Sequence, residues 1–110
     1  MDGQLKRGLL DVCVLAAIKS KDSYGYQIIK ELEIRSERVF TLKEGTLYPL
    51  LHALEQDGAV ICEQRTAENG RERKYYIITE SGRKLLQDKL KEWDSFQTAV
   101  NQVIGGVLFG

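Results

Sequence analysis

Apolar side chains recur in steps of three and four near the start of the chain. Leu9, Val12, Cys13, Ala16 and Ala17 share one helical face, and Leu10, Val14, Leu15 and Ile18 widen it. The spacing predicts a first helix from about Leu5 to Lys19, apolar on enough of its circumference to touch two neighbours. Ser23 stands where an N-cap belongs, and Tyr24, Ile28 and Leu32 follow at i, i+4 and i+8, predicting a second helix that ends near Ser36. Gly25 in its first turn costs about 1 kcal/mol of helix propensity against alanine, which points to a close approach of backbone there. Lys43-Glu44-Gly45 reads as a loop, after which Gly45 or Thr46 opens a third helix through Gln56. Leu47, Leu50, Leu51 and Leu54 form its buried stripe. Pro49, the only proline, is expected in the first turn, where a missing N–H is tolerated. Asp57-Gly58 should stop the helix.

The period then changes. Ala59 to Thr66 and Arg73 to Thr79 are rich in Val, Ile, Tyr and Thr and read as two strands. Between them Asn69-Gly70 is a turn dipeptide, so the pair is expected as a hairpin. Thr79 is positioned to cap a last helix, with Glu80 behind it and Gly82 in the first turn. On that helix Leu86, Leu90, Trp93, Phe96, Val100 and Val103 step by 4, 3, 3, 4 and 3, close to a 3.5-residue repeat, before an expected stop at Gly105-Gly106. Three helices and a hairpin already supply a core. A further apolar seam of this length is expected to meet a second copy of itself, giving a homodimer.

Composition narrows the class. A chain of 110 residues with 29% charged and 43% hydrophobic side chains is expected to be one soluble domain, too short to carry a separate catalytic one. No apolar run approaches a spanning helix, and Met1-Asp2-Gly3-Gln4 lacks a secretory pattern, so the expectation is a cytoplasmic protein with no membrane partner. Sixteen basic and sixteen acidic residues cancel, leaving their placement as the only electrostatic signal. That signal lies in the turn, where Arg71, Arg73 and Lys74 surround the single acid Glu72. Cys13 and Cys62 read as buried free thiols. Two scattered cysteines and the single His52 do not make a metal site, and no cofactor is expected.

The order helix, helix, helix, strand, basic turn, strand, long helix is that of an α+β, mostly helical fold: a winged helix-turn-helix of three helices plus a two-stranded wing, followed by a long C-terminal dimerisation helix. In that layout the third helix enters a DNA major groove with its N-terminal residues toward the base edges. Its face left free by the leucines carries Thr46, Tyr48, Pro49, His52 and Ala53. Thr46 and Tyr48 can hydrogen-bond phosphates or base edges, Pro49 and Ala53 can meet a thymine methyl, and His52 can reach a phosphate. Lys43 in the preceding loop is a further phosphate contact. Asn69, Gly70, Arg71, Arg73 and Lys74 give the wing a mobile tip and cations for the backbone or minor groove.

Three blocks make the pattern specific. Asp22-Ser23-Tyr24-Gly25-Tyr26-Gln27-Ile28, Glu44-Gly45-Thr46-Leu47-Tyr48-Pro49-Leu50-Leu51 and Gly70-Arg71-Glu72-Arg73-Lys74-Tyr75-Tyr76-Ile77-Ile78-Thr79 occur in the order, and with the spacing, of the PadR family of bacterial transcription regulators, which the chain resembles over nearly its whole length. The resemblance implies a winged-helix DNA-binding domain over residues 1–79 and a dimerisation helix with a short tail over 80–110. It also implies repression at palindromic promoter DNA, relieved in some members by small phenolic or hydrophobic compounds. Tyr24 and the Gly45 to Pro49 block fall in the helix-turn-helix by the same resemblance. The single C-terminal helix resembles the short class, so a large ligand-binding domain is not expected. Trp93 and Phe96 then either pack the dimer seam or receive a flat aromatic effector between the dimer helices.

Two other classes compete. An enzyme would need a nucleophile with a base beside it. The sole histidine, His52, already lies on the face assigned to DNA, and no phosphate-cradling glycine loop is present. The chain is therefore expected not to be an enzyme. A winged-helix module that binds protein without specific DNA binding is the alternative that the fold alone leaves open.

Overall fold

The computed structural model describes residues 3–109, with side chains described for 8–105. The reading made on Met1 and Asp2 lies outside the described residues. The elements are α1 (Gly3–Ser20), β1 (Ser23–Tyr24), α2 (Gly25–Arg35), α3 (Glu44–Gln56), β2 (Val60–Thr66), β3 (Glu72–Ile78) and α4 (Glu80–Phe109). This is the mostly helical winged-helix architecture that the sequence predicts, with one strand added.

The core forms where α1, α2, α3 and the sheet meet. Val14 and Leu15 of α1, Ile28 of α2, and Leu47 and Leu51 of α3 are fully buried, and Tyr76, Ile78 and Leu86 close the cluster. The wide apolar arc of α1 has the expected cause, since α1 packs on α2, on β3 and on α4.

The sheet has three antiparallel strands in the order β1-β3-β2, not two. Ser23 pairs with Tyr76 and Tyr24 with Tyr75. This moves the start of α2. Ser23 is held in the sheet and its hydroxyl donates to the Lys21 carbonyl at 2.8 Å, so Tyr24, in extended conformation, becomes the N-cap instead. The Tyr24 N–H donates to Gln27 Oε1 at 3.3 Å. α2 ends at Ser36 through two successive left-handed residues, Glu37 at φ 52° and Arg38 at φ 69°. Neither is glycine, so the turn carries strain of about 1–2 kcal/mol per residue. The Ser36 hydroxyl, accepting the Phe40 N–H at 2.9 Å, helps hold it.

α3 starts at Glu44 with Lys43 as N-cap, which places Pro49 in the second turn rather than the first. There its missing N–H removes the hydrogen bond that the Gly45 carbonyl would otherwise accept within the helix. The helix stops as expected. Gly58 adopts φ 78°, its N–H donates to the Glu55 carbonyl, and the Ala59 N–H donates to the Leu54 carbonyl at 2.9 Å. These two bonds form a Schellman ending.

Thr79 fastens α4 to this junction. Its Oγ1 accepts the Gly82 N–H at 2.9 Å, while its hydroxyl donates to the Gly58 carbonyl at 2.6 Å. Gly82 has no room for a side chain, because a Cβ there would run into the Ala59 carbonyl oxygen. α4 does not stop at Gly105-Gly106 but continues to Phe109. Two glycines cost about 1 kcal/mol each in a helix and do not by themselves end one. Leu86, expected at the head of the dimer seam, is 2% exposed and belongs to the domain's own core. It faces inward because the first turns of α4 pack on α1 and β3. Beyond it Leu90, Trp93, Phe96 and Val103 are exposed, and Val100 is half-buried.

Candidate nucleic-acid interface

The leucine stripe of α3 fixes which side of that helix faces outward. With Leu47, Leu50, Leu51 and Leu54 buried, Thr46, Tyr48, Pro49 and His52 are exposed, and Ala53 is half-buried at the edge. Lys43 is exposed in the loop before the helix. The N-terminal end of α3 thus presents this set, with backbone N–H groups and the positive end of the helix dipole behind it.

The wing is built from the β2–β3 register, in which Gln64 faces Lys74, Arg65 faces Arg73 and Thr66 faces Glu72. Its tip is a type I turn closed by the Gly70 N–H on the Ala67 carbonyl at 2.9 Å. A bulge follows, in which Gly70 takes φ 82° and the Ala67 N–H donates to the Arg71 carbonyl. Asn69, expected at a mobile tip, makes a bond within the turn: its Oδ1 accepts the Arg71 N–H at 3.0 Å. The short amide folds back because it satisfies the turn's own donor. Gly70 and Arg71 remain exposed.

Neighbouring carboxylates sort the cations, since Arg65 and Arg73 are directly opposed and share one face of the hairpin. Arg65 is neutralised by Asp22 at 3.1 Å and Glu63 at 3.0 Å, and these carboxylates hold its guanidinium above the ordinary arginine value. Arg73 has no such partner among the described residues. Its guanidinium lies 5.5 Å above the Tyr24 ring, and its Nε is buried without a hydrogen-bond acceptor. Lys74 lies 5.8 Å over the Tyr76 ring and is exposed. Tyr24, which the resemblance puts among the DNA-binding residues of the helix-turn-helix, is half-buried and meets Tyr75 edge-to-face at 5.4 Å. It is the platform under Arg73, because β1 draws it into the sheet.

An open groove of about 380 Å³ separates the wing from the helices. It is lined by Tyr24, Gly25 and Tyr26 at the start of α2, Glu44 and Tyr48 of α3, and Gln64, Glu72, Arg73, Lys74 and Tyr76 of the hairpin. Sequence reasoning missed Tyr26 and Gln64. Gln64 was within reach once the hairpin was drawn, since it pairs with Lys74. Tyr76 sits at the floor, 5% exposed, and burial first, then Cys62, Tyr48 and Glu55 nearby, push its phenol up to about 12. The Cys62 thiol is raised as well, by burial and a hydrogen bond with Glu55. The Cys13 thiol is raised by burial.

A second groove, of about 320 Å³, runs between α1 and α4, with Gly8, Leu9 and Val12 on one side and Lys89, Glu92, Trp93 and Phe96 on the other. The Trp93 and Phe96 rings are 6.3 Å apart and tilted by 34°. The sequence placed these rings on the dimer seam of α4. The structure also sets them against α1 of their own chain. Among the described residues no group of His, Cys, Asp and Glu stands close enough to hold a metal ion, and no helix is long and apolar enough to cross a membrane.

A three-helix core, an exposed third helix and a cation-bearing wing define a winged-helix transcription regulator, and comparison with known proteins gives the family. Residues 14–88 match the transcriptional regulator PadR-like family, and the chain belongs to it. It is 31% identical to the transcriptional regulator Rv3488 of Mycobacterium tuberculosis over 103 residues, covering 94% of this chain and 90% of that one. A transcriptional regulator of Streptococcus superposes with a TM-score of 0.83 at 31% identity, covering 93% of this chain and 98% of that one. A PadR-like transcriptional regulator of Bacillus cereus gives 0.80 at 28% identity, covering 93% and 97%. The chain is a regulator and not an enzyme.

Proposed function

We propose that the protein is a cytoplasmic, homodimeric repressor that binds palindromic promoter DNA, with α3 in the major groove and the wing on the backbone. The observation that carries this reading is the single groove flanked by the outward end of α3 and by Arg73 and Lys74, cations that no carboxylate among the described residues neutralises. Arg71 extends the same row toward the wing tip. Lys43, Thr46, Tyr48, Pro49 and His52 supply the α3 side, Arg71, Arg73 and Lys74 the wing side, and Tyr24, Asn69 and Gly70 shape the supports. The dimer forms along α4 through Leu90, Trp93, Phe96, Val100 and Val103. It sets two copies of α3 in successive major grooves, about 34 Å apart along the duplex. Promoter DNA occupied in this way is closed to transcription.

The α1–α4 groove gives this reading its control point. Its apolar walls and paired aromatic rings suit a flat hydrophobic effector, and a molecule wedged there would alter the spacing of the two heads.

Fluorescence anisotropy of labelled duplex from upstream of the protein's own gene, against a scrambled duplex across a salt series, tests the proposal. Tight, salt-sensitive binding that prefers the upstream duplex is expected. No binding to either duplex at low salt would overturn it and favour a protein-interaction module.

A further inference from the structure

Gly25 and Tyr48 belong to different helices and meet face to face. A Cβ placed on Gly25 would strike Tyr48 Oη and stand 2.8 Å from its Cζ and 3.3 Å from its Cε1. The backbone at Gly25 is ordinary helix at the first position of α2, so the glycine serves space and not conformation. Its absent side chain is what lets the Tyr48 ring seat on the start of α2. Tyr48 also lines the groove that Tyr76 of β3 floors. One ring therefore meets the start of α2 and borders the groove beside the wing while it is carried on α3. Its outer part remains open, with the residue 43% exposed.

We infer that Tyr48 on Gly25 is a spacer that sets how far α3 stands from α2 and the wing, so that Tyr48 is a positioning residue for sequence reading rather than a reader of bases. This rests on α3 being the DNA-facing helix. The two kinds of DNA contact differ in length scale. A hydrogen bond to a base edge is lost when its donor moves by a fraction of an ångström to one ångström. The attraction between a wing cation and a phosphate changes little over that distance. A displaced spacer should therefore cost the choice between sequences and leave non-specific affinity in place. Pro49, the next residue, adds to this. With no N–H to give, it leaves α3 without one hydrogen bond of its own beside Tyr48, and the outside contact takes on more of the positioning.

The test is a double-mutant cycle on the full chain, read with a duplex selected by the wild type from a random-sequence library and with a scrambled duplex. Far-UV circular dichroism confirms folding of each variant. Gly25→Ala is expected to lower the preference for the selected duplex about tenfold or more, the size of a mismatched base pair, with an unchanged salt slope. Tyr48→Leu removes the ring that the new methyl group strikes. The double variant should then match Tyr48→Leu alone, so that the methyl group costs nothing once the ring is gone. Additive losses, or a Gly25→Ala variant as selective as the wild type, would overturn the spacer. If Gly25→Ala alone does not fold, Tyr48→Leu and the double variant decide: equal selectivity supports the spacer and a further loss overturns it. A wild type that binds neither duplex defeats the DNA reading itself, which separates the two failures.

Discussion

Tyr76 and Gly82 show how one side chain's surroundings reverse its usual effect. Tyrosine ordinarily titrates near 10.0, and at position 76 burial pushes the phenol up to about 12, so folding favours its neutral form. The stabilisation it lends is complete below pH 10 and is lost as pH rises through about 12, because the unfolded chain gives up that proton first. Urea unfolding at successive pH values should show the wild type losing stability over this window more steeply than Tyr76→Phe. Parallel curves would refute the assignment. Gly82→Ala would normally gain about 1 kcal/mol in a helix. Here the new methyl group meets the Ala59 carbonyl oxygen, and a loss of about 1–3 kcal/mol is expected, read as a lower urea midpoint.

At the scale of elements, the hairpin's two opposed arginines share a face and differ in their partners: Arg65 is held by Asp22 and Glu63, while Arg73 stands free of carboxylates among the described residues. Replacing Arg71, Arg73 or Lys74 by alanine should each lower DNA affinity and reduce the salt slope by about one unit. Arg65→Ala should leave the slope unchanged. Equal slopes for all four variants would mean that the wing does not touch phosphate.

The helices were legible because their leucines repeat, and the hairpin because Asn69-Gly70 punctuates two β-rich runs. β1 was not. Two residues carry no period, and only the pairing of Ser23 with Tyr76 makes them a strand. The roles of Tyr24 and Asn69 were hidden for the same reason. The sequence marks both as polar surface residues, and their partners come from the sheet and the turn. The pattern along α4 showed an apolar seam but not that Leu86 at its head lies inside the domain, since a 3.5-residue repeat looks the same whichever helix covers it. α3 gave up its outward face readily. That Tyr48 leans back onto Gly25 depends on the separation of two helices, which no spacing along one helix records.

Over the whole molecule the long dimension is 56 Å against 28 and 23 Å, and α4 provides it. A 30-residue helix is about 45 Å long, and beyond Leu86 this one carries Trp93, Phe96 and Val103 exposed. Sedimentation of the wild type at micromolar concentration should give a dimer. Trp93→Ala should weaken both dimerisation and DNA binding, the second because two half-sites are no longer held together. If Trp93→Ala retains both, the dimer contact lies elsewhere.

The root of that helix has a mechanical consequence. Thr79 binds the Gly58 carbonyl, and Gly82 lies so close to Ala59 that a Cβ would strike its carbonyl oxygen, so the root of α4 is anchored on the residues that end α3. A tilt of about five degrees about this pivot would swing the distal end by about 4 Å, given a helix of that length. In the other direction the gearing would be unequal: several ångströms of travel among the outer aromatic rings would reach α3 as a small rotation. Such a train reduces displacement and multiplies force, as a long handle does on a short jaw.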